Sequence, residues 1–148
     1  VFAKRGIVPE AASSWFLPRL IGINKALELC YTGKVISAEE AKEIRLVSEI
    51  LNQDKLIDRA LEIAKEFTAE SSQISIALTR QMMWRMLGAD DPMEAHKIDS
   101  RAVFELGQSR EAIEGVNSFL EKRPPSFPGK VSKDMPSFFP WWDEKEFE

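Results

Sequence analysis

The chain has 148 residues, of which 44% are hydrophobic and 30% charged, with a net charge of -4. That length suffices for one domain or a substantial part of a larger one, and the apolar content excludes disorder of the whole chain. Acidic and basic residues are interspersed, so no broad positive field arises and nucleic acid is not an expected partner.

The opening residues, VFAKRGIVPE, carry β-branched side chains and then Gly6 and Pro9. They predict an extended stretch over Phe2 to Pro9 that enters a tight turn. The chain starts abruptly and without Met, which suggests a fragment. A short helix is expected over Ala11 to Leu17, stopped before Pro18. The next is expected after Asn24 as cap, running from Lys25 to Tyr31 and closed by Gly33. Ser37-Ala-Glu-Glu40 has the spacing of a capping box and should start a helix through Ile44. Leu46 to Leu51 reads as a brief extended run. Asp54 is placed to cap a helix in which Leu56, Ala60, Leu61, Ile63, Ala64 and Phe67 recur at helical spacing. A helix over Ile74 to Leu87 follows. Asp91-Pro92-Met93-Glu94 is a strong helix start, with Gly107 as the expected stop. Ser109 should cap a last helix through Ile113, Val116, Phe119 and Leu120. PPSFPGK, after Arg123, is too proline-rich for regular helix. The expected class is mainly α with two or three short extended segments.

The single cysteine, Cys30, allows no internal disulfide and reads as a small, buried side chain in a helix, which fits a reducing compartment. His96 is the only histidine and has no second ligand at metal spacing, so no metal site is expected. It reads as a solvated helix residue. No run is apolar enough and long enough to span a bilayer, and the N-terminus lacks the pattern of a secretory signal, so no membrane partner is expected.

Glu10, in GIVPEAASSW, is the strongest candidate for chemistry. It is either a solvated carboxylate near a helix start, favoured by the helix dipole, or a carboxylate partly desolvated among Ile7, Val8, Ala11 and Trp15. Burial of that kind would raise its pKa and suit it to proton transfer. Lys122 and Arg123 end the last helix, where cations favour the C-terminal dipole and could alternatively meet a phosphate. Phe138, Phe139, Trp141 and Trp142 form a cluster too large to leave bare, and should pack on a neighbouring element or subunit.

The strings RGIVPEAASSWFLPRLIG and KALELCYTGKVISAEEAKEIRLVSEI, followed by SREAIEGVNSFLEKRPPSF, resemble in order and spacing the crotonase family of acyl-CoA enzymes, the enoyl-CoA hydratase/isomerase group. The likeness reaches about Phe127. It implies the C-terminal helical part of the crotonase α/β fold. Residues 1–22 would end the core and carry an active-site turn. Residues 23–123 would form a helical region with trimerisation helices, and 124–148 a Pro/aromatic-rich extension.

The resemblance also implies an acyl-CoA substrate, with coenzyme A present only as part of that substrate and no separate cofactor. It implies a homotrimer or dimer of trimers, in the cytoplasm or, in a eukaryote, the mitochondrial or peroxisomal matrix. Family members stabilise a thioester enolate with two backbone N–H groups, at least one of them expected before Val1, so the fragment alone should be inactive. One of two hydratase glutamates would align with Phe2, which cannot move a proton. Several family isomerases carry an acid where this chain has Glu10. The implied chemistry is proton transfer on the enolate, giving double-bond migration or hydration, with Lys122 meeting a CoA phosphate. The rival expectation is a non-catalytic helical oligomerisation module.

Overall fold

The computed structural model describes residues 2–146, so Val1, the first residue of the expected 1–22 segment, and the last two residues of the 124–148 extension lie outside the described residues. Seven α-helices are found among the described residues: α1 (Ser13–Ile21), α2 (Ile23–Thr32), α3 (Ala38–Glu43), α4 (Leu56–Thr68), α5 (Gln73–Met86), α6 (Pro92–Gly107) and α7 (Arg110–Glu121). Short 3-10 turns occupy Ala3–Arg5 and Gln53–Lys55. No strand occurs among the described residues, so the extended segments expected at Phe2–Pro9 and Leu46–Leu51 are not strands. A strand needs a ladder partner for its backbone groups, and neither segment has one here. The chain divides into two compact units, up to Ile57 and from Asp58 onward.

In the first unit, α1 packs on α2. Here α1 runs past Pro18 instead of stopping before it. Proline removes one helical N–H. The carbonyl it would have met, that of Ser14, belongs to an exposed residue, and the Gly22 N–H still closes the last turn on the Pro18 carbonyl at 3.1 Å. The cap of α2 is Gly22 and not Asn24. With φ at 78° and ψ at 153°, Gly22 turns the chain from α1 straight into α2, a conformation that disfavours a side chain. Gly33 ends α2 in the left-handed region, as expected. Ser37 caps α3 by accepting the Glu40 N–H at 3.1 Å. Lys34 sits 2.7 Å from Glu40 and 3.3 Å from Glu28, an exposed ion cluster that contributes little stability.

In the second unit, α6 packs on both α5 and α7. The caps are Ser72, Asp91 and Ser109, each accepting a backbone N–H of the first turn. Gly107 stays inside α6 and Gln108 caps it, because Ser109 already opens the next helix. Asp54 lies within the 3-10 turn Gln53–Lys55, which runs directly into α4. The core is Ile74 and Leu78 of α5, Ala102 of α6 and Phe138 of the C-terminal segment, with Met82, Leu106, Met135, Phe139 and Trp141 around it. Leu78 is only 1% exposed. The aromatic tail therefore packs on the chain's own helices. Arg85 stacks 3.3 Å over the Trp142 ring and Arg101 5.0 Å over Phe138. Each such contact adds about 0.5–2 kcal/mol to what apolar burial supplies.

Two carboxylates of α7 fasten the segment after Arg123. Glu114 grips the Arg123 guanidinium with both oxygens, at 2.6 and 2.9 Å, and accepts the Ser126 N–H at 2.6 Å. Arg123 first, and then the Ser126 N–H, hold the Glu114 carboxyl at about 2, below the ordinary 4.5. A depressed carboxyl pKa stabilises the fold above the unfolded value and loses that contribution as pH falls through the folded one. Acid unfolding should therefore steepen between pH 4.5 and about 2, and Glu114→Gln should flatten that limb in a urea titration at stepped pH. An unchanged limb would contradict the clamp.

Candidate active site

Glu10 lies on the loop between the first 3-10 turn and α1. Gly6 leaves the 3-10 turn at φ 70°, its N–H donating to the Ala3 carbonyl at 3.1 Å. Ile7 to Glu10 run irregularly, and then Ala11 and Ala12 both adopt left-handed φ, 54° and 55°. Two successive alanines there are strained, since a Cβ crowds the carbonyl in that region at about 1–2 kcal/mol per residue. Ala12 is the cap of α1 and offers no side-chain acceptor. What holds the turn is Ser13. Its N–H and its hydroxyl both donate to the Glu10 carbonyl, at 3.1 and 2.6 Å. The strain marks a backbone whose path is imposed by its surroundings. Ala12→Gly should raise stability by about 0.5 kcal/mol, the strain relieved less the entropy glycine adds to the unfolded chain. Urea denaturation measures it, and a lower midpoint would contradict the strain.

The Glu10 carboxylate is exposed, as in the first of the two readings, and the desolvation of the second does not occur among the described residues. Its apolar neighbours are themselves bare: Val8 is 77% exposed. Trp15 instead pairs edge-on with Phe16 at 4.8 Å and carries Arg19 over its ring at 4.1 Å. Glu10 also precedes α1 by three residues and so lies outside its first turn. Beside the turn is a cavity of about 310 Å³, lined by Ala3, by Ile7 to Pro9 and by residues of α1 and α2, with no charged side chain in its wall among the described residues. Cys30 is half-buried and lines that cavity. Neither Ser13 nor the cavity emerged from the sequence. The serine signal was legible in principle, since a hydroxyl three residues after a loop carbonyl is a local bonding pattern.

Lys122 sits in the second unit as the C-cap of α7, exposed and in the left-handed region at φ 54°. His96 is exposed on α6. Among the described residues, no group of three His, Cys, Asp or Glu side chains gathers as a metal site would require. Also among them, no helix is long and apolar enough to cross a membrane.

The family model for enoyl-CoA hydratase/isomerase matches residues 1–130. An enoyl-CoA hydratase of Alternaria alternata is 44% identical over 127 residues, 85% of this chain and 42% of the relative. The 1,2-epoxyphenylacetyl-CoA isomerase of Escherichia coli (strain K12) is 30% identical, covering 87% of this chain and 48% of that protein. A crystal structure of a probable enoyl-CoA hydratase/isomerase from Mycobacterium abscessus superposes with a TM-score of 0.80 at 31% identity, over 87% of this chain and 52% of that one. The chain thus spans about half the length of its relatives and shares the helical part of their fold. On the match over residues 1–130, it belongs to the enoyl-CoA hydratase/isomerase, or crotonase, family.

Proposed function

We propose that the complete protein moves a proton on a coenzyme A thioester, with Glu10 as the group that carries it. The observation that supports this most is the Glu10 turn: an exposed carboxylate whose carbonyl is fixed twice by Ser13, next to an uncharged cavity, in a chain of this family. Phe2, near the same loop, has no proton to transfer, which favours one carboxylate over a pair.

The chemistry follows from that single carboxylate. Donors of the complete protein stabilise negative charge on the thioester oxygen and so acidify the neighbouring C–H. Glu10 takes that proton, and the C–H electron pair passes into the enolate. For a 3-enoyl thioester the charge extends along the conjugated chain. Glu10 then returns the proton to the far carbon, and the double bond shifts towards the carbonyl. One base serves both steps, so no second acid is needed. Hydration, which adds water across the double bond, is the second reading, named for relatives such as the Alternaria protein.

Lys122, exposed at the end of α7, is proposed to meet a CoA phosphate as a point charge. Coenzyme A enters only as part of the substrate. The half-buried thiol of Cys30 fits a reducing compartment, the cytoplasm or an organelle matrix. Assembly as a homotrimer or dimer of trimers would cover the bare apolar face of α7, where Phe119 is 81% exposed. The deciding experiment is a steady-state assay of the complete protein on 2-enoyl-CoA and 3-enoyl-CoA esters. Conversion of the 3-enoyl ester to the 2-enoyl ester is expected, and turnover of neither ester refutes the proposal.

A further inference from the structure

The Glu10 carboxylate makes no hydrogen bond and no ion pair among the described residues, so its position depends on the backbone that carries it. That backbone is constrained from both sides. Before it, Pro9 restricts its own φ and disfavours helical backbone at Val8. After it, Ala11 and Ala12 stand at φ 54° and 55°, where residues with a Cβ stay only when something holds them. Ser13 supplies the hold. Its hydroxyl donates to the Glu10 carbonyl at 2.6 Å, spanning both alanines, and its N–H adds a second bond at 3.1 Å. No other side chain bonds to residues 7–12 among the described residues. Ser13 is half-buried and is the first residue of α1, so the bond ties the turn to a helix and is partly shielded from water.

We propose that Ser13 is a positioning residue for the proton transfer: its hydroxyl holds the Glu10 backbone in the conformation that aims the carboxylate at the substrate carbon. The inference rests on the reading of Glu10 as the proton carrier. Proton transfer to and from carbon needs the base in near-attack placement, and a displacement of about 1 Å can lower the rate on the order of 10²-fold. Without the hydroxyl, the bond from the residue 13 N–H remains, so α1 still starts. The strained alanines are then free to relax towards ordinary backbone, and residue 10 swings with them. Ser13 acts through Glu10 alone, so its effect vanishes once residue 10 cannot carry a proton.

The test is a double-mutant cycle in the complete protein, read as kcat and KM on its enoyl-CoA substrate. Ser13→Ala should lower kcat about 10- to 100-fold and leave KM within about twofold of wild type. Ser13→Thr, which keeps the hydroxyl, should restore kcat to within about threefold of wild type. Added to Glu10→Gln, Ser13→Ala should change the residual rate by less than about twofold, since residues that act as a unit are not additive. If Ser13→Ala fails to fold, Ser13→Cys, which fills the same place with a weaker donor, replaces it in the cycle. The inference is overturned by a Ser13→Ala kcat within about threefold of wild type, by a loss confined to KM, by a loss that threonine does not restore, or by an equal loss in both backgrounds. If the Glu10→Gln rate falls below detection, the division between kcat and KM and the threonine rescue decide. A failure of the Glu10 reading looks different, because Glu10→Gln itself then turns over like wild type. An enzyme inert on every ester overturns both.

Discussion

Glu10→Gln should lower kcat of the complete protein on its enoyl-CoA substrate by at least about 10²-fold, and by up to about 10⁴-fold, the range that one positioned acid–base group supplies. The amide keeps the size and much of the polarity of the carboxylate but cannot accept and return a proton. The backbone is undisturbed, because the Ser13 bonds are made to the carbonyl of residue 10 and not to its side chain. The ester should therefore bind with nearly the wild-type dissociation constant while turnover is lost. Stopped-flow or calorimetric binding with an inert acyl-CoA separates the two. A variant retaining more than about a tenth of wild-type kcat would remove Glu10 from the chemistry. A variant losing binding as well would assign it to substrate positioning.

Glu111→Ala should cost about 3 kcal/mol of stability, the largest loss expected from a single polar substitution in the second unit. Glu111 is 7% exposed. One oxygen accepts the hydroxyl of Ser72, the cap of α5, and the other accepts the Gly129 N–H at 2.8 Å. Truncation leaves both donors buried, or partly buried, without their acceptor and opens a gap among tightly packed groups. Gly129 shows how tight: a Cβ there would lie 2.5 Å from Ile74 Cδ1 and 2.9 Å from the Glu111 carboxylate. Urea denaturation followed by circular dichroism gives the number. A loss below about 1 kcal/mol would mean that water replaces the carboxylate at little cost.

Those two carboxylates also show what the sequence reveals and what it conceals. Local signals were legible. Ser37, Asp91 and Ser109 cap helices through bonds spanning two or three residues, and Gly33 stops α2 as a left-handed glycine. Signals with two local solutions misled. Pro18 can end a helix or sit inside one, and the packing of α1 on α2 favours the second. Asn24 is a good cap, yet Gly22 turns the chain two residues earlier. Long-range partners were invisible. Glu111 looks like any first-turn acid of α7, but its partners lie 39 and 18 residues away. The aromatic tail was legible as a segment that packs, though the place of Phe138 beside Ile74, Leu78 and Ala102 was not. At the site, the identity of Glu10 was legible and its environment was not. The buried alternative required Ile7 and Val8 to close over it, and both are bare.

The docked tail has a spectroscopic consequence. Trp141 and Trp142 stand edge to face with ring centroids 4.8 Å apart, and Phe139 meets Trp142 at 5.2 Å. Indoles that close, held at a fixed angle, couple their electronic transitions, which yields a paired positive and negative band in circular dichroism. The guanidinium of Arg85 over Trp142 perturbs the emission of the same chromophore. The C-terminal segment thus carries its own optical label. Release of residues 138–142 from the α5–α6 surface would erase the couplet and shift the emission, while the helical far-ultraviolet signal stayed in place.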